Sequence, residues 1–320
     1  MALLGRTATA SPTQDTRTSL LANEAEAQSV ADRLPDLLIE AMRISTTIAH
    51  GIHGRRRAGP GETFWQFRQY ESTDSSGLID WRRSASSDHL YVREREWEAA
   101  HTFWLWADLS PSMNFQSHLA QHSKRDRALV LLLAAAELLV RSGERVALLG
   151  LTRPTARRDA ATRIAEAIAE NFNSPVLQSG LPPDEHLSRF SGVVLVGDFL
   201  DPAEAVNQRV ASIAASGVGG HLVQVLDPAE ETLPYEGRAE FLAPEGGERW
   251  IADRVESLRE RYIDKLADHK QEIATQAQRL DWSHLVHHTD RSAAEPLLSL
   301  IVRLQNADAG GLAARAGGLA

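Results

Sequence analysis

The chain has 320 residues, enough to bury one substantial core and a smaller module. Its formal net charge of −9 argues against nucleic acid as the main partner, because phosphate binding needs a basic face. It contains no cysteine, which excludes disulfides, thiolate catalysis and cysteine-ligated zinc. The longest apolar run, 128–140, includes Glu137 and is too short to cross a bilayer, so we expect a soluble cytoplasmic protein with no integral membrane segment.

The first hundred residues divide into a polar leader, a helix and a β-containing module. Residues 1–29 are rich in Ala, Thr, Ser and Gln and have no long apolar core, so they are predicted to be disordered rather than a signal peptide. Apolar residues recur near one face over Val30–Ala49, which predicts a helix. Strand-like patterns follow at 64–70 and 90–98, so 30–100 is predicted to hold a helix and a small β-containing module.

From residue 101 the pattern changes to alternating strands and helices. The predicted strands are 102–107, 145–151, 192–197, 220–226 and 284–287, and the predicted helices are 124–141, 158–171, 202–215, 251–280 and 293–305. This alternation predicts an α/β domain over 101–305, with a Rossmann-like, mostly parallel sheet and helices on both faces. The Ala/Gly-rich tail, 306–320, is predicted to be disordered.

The most informative stretch is Asp108-Leu109-Ser110-Pro111-Ser112-Met113, directly after the apolar strand 102–107. A carboxylate and two hydroxyls at alternate positions can converge on one hard cation, and oxygen ligands suit Mg²⁺ or Mn²⁺. Asp198 ends the strand 192–197, and ligands of parallel sheets bind beyond the carboxyl ends of the strands. The alternative is structural, because Asp and Ser are also common turn and capping residues.

The tetrapeptide Asp-Pro-Ala-Glu occurs twice, at 201–204 and 227–230. Each copy predicts a helix start, with Asp as the N-cap, Pro at the first helical position and Glu at the third. The alternative reading makes Asp227 or Glu230 an acid or a ligand, but capping is sufficient to explain both residues.

Catalytic signatures are weak in this sequence. His284, His287 and His288 cluster late in the chain but lack the helical His-Glu-x-x-His spacing of zinc sites, and we expect them to be surface or hydrogen-bonded groups. Ser110 and Ser112 lack the Gly-x-Ser-x-Gly context of a nucleophile, and there is no phosphate-binding Gly-x-x-x-x-Gly-Lys loop.

Several short motifs together resemble a known bacterial family. They are Gly59-Pro60-Gly61-Glu62-Thr63-Phe64, Arg68-Gln69-Tyr70, Asp74, Ile79-Asp80-Trp81, Ser84-Ala85, the Asp108–Met113 stretch, Gly197-Asp198-Phe199-Leu200-Asp201, and Gln224-Val225-Leu226-Asp227-Pro228-Ala229-Glu230. In combination, over about residues 30–305, they resemble the family called domain of unknown function 58.

The resemblance implies a von Willebrand factor A-like fold with a metal-ion-dependent adhesion site, or MIDAS. Carried over, Asp108, Ser110 and Ser112 would be the first-loop ligands of Mg²⁺ or Mn²⁺, with Asp198 ligating directly or through water. The threonine of such sites has no clear counterpart, and the candidates are Ser174, Ser179 and Thr155. Genes of the family commonly neighbour a MoxR-type AAA+ ATPase, which implies an assembly or chaperone-like partnership.

The function expected from the sequence is therefore non-enzymatic protein interaction. In this reading the cation site presents an open position to an acidic side chain of the MoxR-type ATPase, and a client protein is a further partner. Two alternatives remain open: a metal-dependent hydrolase that uses Asp108 and Asp198 as ligands with a histidine from 284–288 as base, and a degenerate, metal-free scaffold.

Overall fold

The structure is a computed structural model that describes residues 12–53, 64–70, 77, 79–87, 89–95, 100–189, 191–243 and 249–303. The chain divides into two compact units. The larger unit contains the chain up to Ala49 and from His101 onward, and the smaller unit is His50–Ala100. Residues 1–11 of the segment predicted to be disordered, 1–29, and the predicted tail at 306–320 lie outside the described residues.

The elements follow the predicted alternation of strands and helices. The helices are α1 (Pro12–His53), α2 (Trp81–Ser84), α3 (Lys124–Arg141), α4 (Ala160–Asn171), α5 (Ala203–Ala214), α6 (Pro228–Thr232) and α7 (Glu256–Arg279), and a further helix occupies 294–303. The strands are β1 (Phe64–Gln69), β2 (Tyr91–Arg95), β3 (Thr102–Ala107), β4 (Arg145–Leu148), β5 (Gly192–Gly197), β6 (Gly219–Leu226), β7 (Ala239–Leu242), β8 (Arg249–Ala252) and β9 (Ser283–His288).

The core of the larger unit is a five-stranded sheet in the order β4-β3-β5-β6-β9, with every neighbouring pair parallel. The central strand β5 is buried at all six residues, as expected of an apolar strand covered on both faces. Helices α5 and α7 pack on the face that carries Trp106 and Leu195. Helix α3 contacts β3 to β6, and the alternate residues Leu105 and Val194 are fully buried. The predicted α/β architecture, a mostly parallel sheet with helices on both faces, is confirmed.

Two local features differ from the prediction. Helix α1 begins at Pro12 rather than near Val30, so much of the segment predicted to be disordered is helical. Charged residues of α1 form ion pairs with charged residues of α3, and apolar periodicity does not reveal contacts of this type. The second difference is the antiparallel pair β7–β8, whose strand β8 occupies the beginning of the predicted helix 251–280.

The smaller unit contains an antiparallel pair, β1–β2, and the short helix α2. Asp80 caps α2 by accepting a hydrogen bond from the Arg83 amide at 2.9 Å. The Ser84 hydroxyl donates to the Asp80 carbonyl at 2.8 Å and accepts from the Tyr91 amide at 2.9 Å. The short motifs at 79–81 and 84–85 therefore form a capped turn that joins α2 to β2.

No helix in the described part of the chain is both long enough and apolar enough to cross a membrane.

Strand β6 depends on a glycine that lies under an aromatic ring. A methyl group on Gly220 would overlap the indole of Trp282, which is held by a 3.0 Å hydrogen bond from its Nε1 to the Val218 carbonyl. We expect Gly220→Ala to lower the free energy of unfolding by about 2 kcal/mol, because overpacking must displace the ring. Urea denaturation measures the change. The matched control is Gly219→Ala, where the new methyl group meets nothing within 4 Å; equal losses in the two variants would contradict the prediction.

Candidate functional site

Three aspartates stand directly after adjacent strands, at one edge of the sheet. Asp108 follows β3, Asp198 follows β5 and Asp227 follows β6, and these strands are neighbours in the order β3-β5-β6. All three residues are buried, with relative exposures of 0%, 2% and 0%. Because parallel strands end at the same edge, the structure brings together carboxylates that are far apart in the sequence.

The backbone around Asp108 is fixed on both sides. The Asp108 amide donates to the Val196 carbonyl at 2.8 Å, which extends the pairing of β3 with β5 by one residue. The next amide, Leu109, donates to the Leu177 carbonyl at 2.9 Å. A side chain on Gly197 would place its Cβ 3.0 Å from the Asp108 Cβ, so glycine permits this close approach. The Asp108 carboxylate is thereby held against the end of β5.

The predicted ligands form one chain of hydrogen bonds. Asp108 Oδ1 accepts from the Ser110 amide at 2.8 Å. The Ser110 and Ser112 hydroxyl oxygens are 3.1 Å apart, and the Ser112 hydroxyl donates to Asp198 Oδ2 at 2.9 Å. Asp108, Ser110, Ser112 and Asp198 therefore lie in one connected cluster of oxygen atoms.

The Asp198 turn is supported from three directions. Asp198 Oδ1 accepts from the Leu200 amide at 3.2 Å, which closes a turn through Phe199, whose φ is 49°. The Asp198 carbonyl accepts from Gln224 Nε2 at 2.7 Å. The Phe199 carbonyl lies 2.7 Å from His269 Nε2 on α7. These contacts hold Phe199 in the left-handed conformation directly after Asp198. Strained backbone of this kind in a non-glycine residue is common at functional sites.

Lys124, which the sequence analysis did not single out, completes the cluster. It is the first residue of α3, is 1% exposed, and its Nζ donates to Asp198 Oδ2 at 2.8 Å and to Glu230 Oε1 at 2.6 Å. Burial alone would lower the pKa of this lysine, but the carboxylates of Asp198 and Glu230 outweigh that effect and raise it. The ammonium group is therefore a permanent positive charge within the cluster.

Glu230 has two roles at once. It belongs to the capping box at the start of α6, as predicted: Asp227 Oδ1 accepts from the Ala229 amide, and Glu230 Oε2 accepts from the Asp227 amide, both at 2.9 Å. Its other oxygen binds Lys124. Asp227 Oδ2 also accepts from the Ser117 amide at 2.9 Å. The other tetrapeptide differs from the prediction, because α5 begins at Ala203 with Pro202 as N-cap and without a side-chain cap.

Asp108 is the electrostatically unusual member of the cluster. Burial and the nearby charge of Asp198 raise its pKa from 3.8 to about 7, against the opposing effects of the Ser110 hydrogen bonds and the Lys124 charge. Its Oδ2 is buried and has no hydrogen-bond partner among the residues that the structure describes. Buried carboxylate oxygens normally have a hydrogen-bond or ionic partner, so an unpaired Oδ2 is consistent with a bound cation or proton at this position.

The other sequence candidates lie in different surroundings. The His284 Nε2 is 3.1 Å from Gln224 Oε1, His288 Nε2 is 2.7 Å from Glu231 Oε2, and His287 is buried. None of the hydrogen bonds of these three histidines reaches Asp108 or Asp198 in the described part of the chain.

The hydroxyls of the three candidates for the missing threonine lie in different environments. The Thr155 and Ser179 hydroxyls accept local backbone hydrogen bonds, from the Arg157 amide at 3.3 Å and the Leu181 amide at 3.2 Å. Ser174 lies three residues before Leu177, the residue that pairs with the Asp108 loop, and its hydroxyl is buried with no partner in the described part of the chain. Ser174 and Ser179 therefore both lie in the segment around Leu177, next to the Asp108 loop, whereas Thr155 pairs with β4.

The donor set matches a hard cation in chemistry, with two carboxylates and two hydroxyls whose atoms are all oxygen. The described residues hold no group of three or more His, Cys, Asp or Glu side chains that could bind a metal ion, so the hydroxyls would have to supply part of the shell. The buried, unpaired Oδ2 of Asp108 is the structural feature that fits such a cation.

Comparison with known proteins identifies the family. The family model described as "Protein of unknown function DUF58" matches residues 66–272, about two thirds of the chain. The chain belongs to this family. The predicted resemblance is confirmed, and all four candidate ligands, together with Lys124 and Glu230, fall within the residues that the DUF58 model matches.

Curated relatives of this DUF58 protein are similar along most of their length. They include the uncharacterized proteins Rv1480 of Mycobacterium tuberculosis and Mb1516 of Mycobacterium bovis, each 25% identical over 295 residues, which is 88% of this chain and 88% of the relative. Two solved structures align with 100% of their own chains: BatB from Bacteroides thetaiotaomicron (16% identity, 65% of this chain, TM-score 0.37) and an aerotolerance-related membrane protein from Bacteroides fragilis (19%, 64%, 0.34).

Proposed function

We propose that this DUF58 protein is a non-enzymatic docking module whose sheet edge holds a divalent cation of the MIDAS type. Asp108, Ser110, Ser112 and Asp198 would supply its ligands. Mg²⁺ or Mn²⁺ bound there would offer an open coordination position to an acidic side chain of a partner. The partner suggested by the family resemblance is a MoxR-type AAA+ ATPase, in assembly or chaperone-like work on a client protein.

The observation that carries this proposal is the unpaired Oδ2 of Asp108. A buried carboxylate with one unpaired oxygen, beside a second carboxylate, is costly unless a positive charge or a proton compensates it. The raised pKa of Asp108 means that the isolated cluster takes up a proton near neutral pH. A cation would compensate the charge in the same way, and the adjacent hydroxyls of Ser110 and Ser112 could serve as further ligands.

The surroundings of the cluster favour docking over hydrolysis. The side-chain hydroxyl of Ser112 donates to Asp198, a carboxylate already held by Lys124, rather than to a histidine that could act as a base. Two apolar side chains close in sequence to the ligands are exposed at the edge: Phe115 (37%) and Leu200 (38%). Exposed apolar groups around a charged centre are typical of a surface that a protein partner covers.

The cation site is tested by calorimetric titration of Mg²⁺ and Mn²⁺ into the wild type and Asp108→Asn. We expect at least about a tenfold loss of affinity in the variant, because a neutral amide replaces the anionic ligand. Asp184→Asn is the matched control, since this exposed carboxylate bonds Ser212 near the far end of α5 and should leave binding unchanged.

The docking role is tested by pull-down of the MoxR-type ATPase with and without a chelator. Capture should require both the cation and Asp108. Capture that survives both the chelator and Asp108→Asn would contradict the cation mechanism, whereas metal binding without capture would leave the site intact and reject this partner.

A further inference from the structure

The Lys124 ammonium group is buried at the cluster, and its position there bears on how a cation could enter. Lysine is almost never fully buried without paired acceptors. Here the acceptors are Asp198 Oδ2 and Glu230 Oε1, at 2.8 and 2.6 Å. The Phe115 ring centroid lies 5.9 Å from Nζ. The lysine is thus a tethered cation already located among the oxygen atoms that a metal ion would use.

The bonds at Asp198 leave its Oδ2 fully occupied. A carboxylate oxygen has two lone-pair positions, and this one accepts from the Ser112 hydroxyl at 2.9 Å and from Lys124 at 2.8 Å. The Ser112 hydroxyl can continue to donate its hydrogen bond to Asp198 while its oxygen ligates a cation. Lys124 cannot share the carboxylate in that way, since its positive charge would repel a divalent ion a few ångströms away.

Glu230 gives the displaced ammonium a second place to bind. Its Oε1 is already 2.6 Å from Lys124 Nζ, and its Oε2 is fixed by the Asp227 amide at 2.9 Å. The capping box of α6 therefore holds the Glu230 carboxylate in position whether or not Asp198 remains bonded to the lysine. A small rotation of the Lys124 side chain would release Asp198 without leaving a buried charge unpaired.

We propose that Lys124 is a built-in competitor for the cation site: its ammonium group holds Asp198 in the metal-free protein and moves to Glu230 alone when a divalent cation binds. This inference rests on the proposed function, because it concerns the same four ligands. It explains how a cluster rich in carboxylates remains stable without metal, and it makes the affinity for the cation adjustable through one side chain.

The direct test is a pair of crystal structures of the wild-type chain, one metal-free and one at saturating Mn²⁺, whose anomalous signal locates the ion. We expect an Mn²⁺ peak at Asp108, Ser110 and Ser112, with Nζ withdrawn beyond hydrogen-bond distance of Asp198 and still bonded to Glu230. An Mn²⁺ peak with the bond from Lys124 to Asp198 intact would overturn the competition and leave the proposed function standing.

Calorimetry of variants gives an independent measure. We expect Lys124→Met to bind Mg²⁺ about tenfold more tightly than the wild type, because the competing charge is gone. Glu230→Gln should bind Mg²⁺ more weakly, since the displaced ammonium loses the negative charge of its second partner. Circular dichroism checks folding, and if Lys124→Met does not fold, the crystal structures decide alone.

The outcomes separate the two proposals. Equal affinities in wild type and Lys124→Met, or weaker binding by the variant, would reject the competition while keeping the cation site. Binding by Lys124→Met but not by the wild type would support the competition and reject the cation-dependent function of the natural chain. Absence of Mn²⁺ from the saturated crystals, together with no calorimetric binding by any variant, would reject both.

Discussion

Arg125→Ala is expected to lower the free energy of unfolding by about 3 kcal/mol, because this residue joins the N-terminal helix to the cluster. Arg125 is 3% exposed, and its Nη1 donates to Glu26 Oε1 on α1 at 2.7 Å. Its Nη2 donates to the Ser110 carbonyl at 3.3 Å, and its guanidinium lies 5.2 Å from the Phe172 ring centroid. Truncation removes all three contacts and leaves the Ser110 carbonyl without this donor.

Chemical denaturation of three variants measures the effect of Arg125. The matched control is Arg141→Ala on the same helix, whose exposed pair with Glu137 at 2.7 Å should contribute no more than about 0.5 kcal/mol. Arg125→Lys should recover only part of the loss, because an ammonium group cannot reach both acceptors and the ring in the same way. Comparable losses for Arg125→Ala and Arg141→Ala would show that the buried contacts contribute little.

The neighbours of Arg125 explain why α1 belongs to the larger unit. Residues 124–127 are all buried although all are charged. Asp126 pairs with Arg33 of α1, and Arg127 has Glu40 of α1 3.5 Å from its Nη1. These ion pairs cannot be found from apolar periodicity, because the partners lie about ninety residues apart and each sequence segment reads as a solvated charge run. The helical start of α1 was missed for the same reason.

The sheet and the ligand loop were predictable because their signals are local. An apolar strand followed by Asp108, and a second one followed by Asp198, places both carboxylates at one edge of a parallel sheet once the βαβ alternation is recognised. The contact of Lys124 with Glu230 joins residues more than a hundred positions apart. Glu230 was correctly predicted to cap α6, and nothing in the sequence indicated that its second oxygen binds a lysine. The strands β7 and β8 have only four residues each, too few for a period of two to stand out.

Acidification is expected to destabilise the protein through three histidines of β6 and β9. Burial is the main cause that lowers the pKa of His287 to about 3, with the charges of Arg127, His288 and Arg291 acting in the same direction. Burial likewise lowers the pKa values of His221 and His284 to about 4, helped by Arg303 and Lys270.

The direction of the effect follows from which state binds the proton more readily. Each of these histidines takes up a proton near pH 6.5 in the unfolded chain but only at much lower pH in the folded one. The neutral histidines therefore cost the folded state nothing above pH 6.5. The free energy of unfolding falls as the pH drops from 6.5 toward 4, because the unfolded chain takes up protons that the folded chain does not. Between pH 7 and pH 5 the loss amounts to about 2 kcal/mol for each histidine.

Variants separate this effect from the opposing one of Asp108, whose raised pKa stabilises the folded state on acidification. Urea denaturation at pH 7 and pH 5 gives the difference in unfolding free energy between the two pH values for each protein. We expect His287→Met, His284→Gln and His221→Asn each to reduce the loss on acidification by about 2 kcal/mol. His186→Gln, at an exposed position outside the sheet, should leave the loss unchanged. If the three variants at buried histidines lose as much stability as the wild type does, these histidines take up a proton as readily in the folded as in the unfolded chain, and their burial does not govern acid stability.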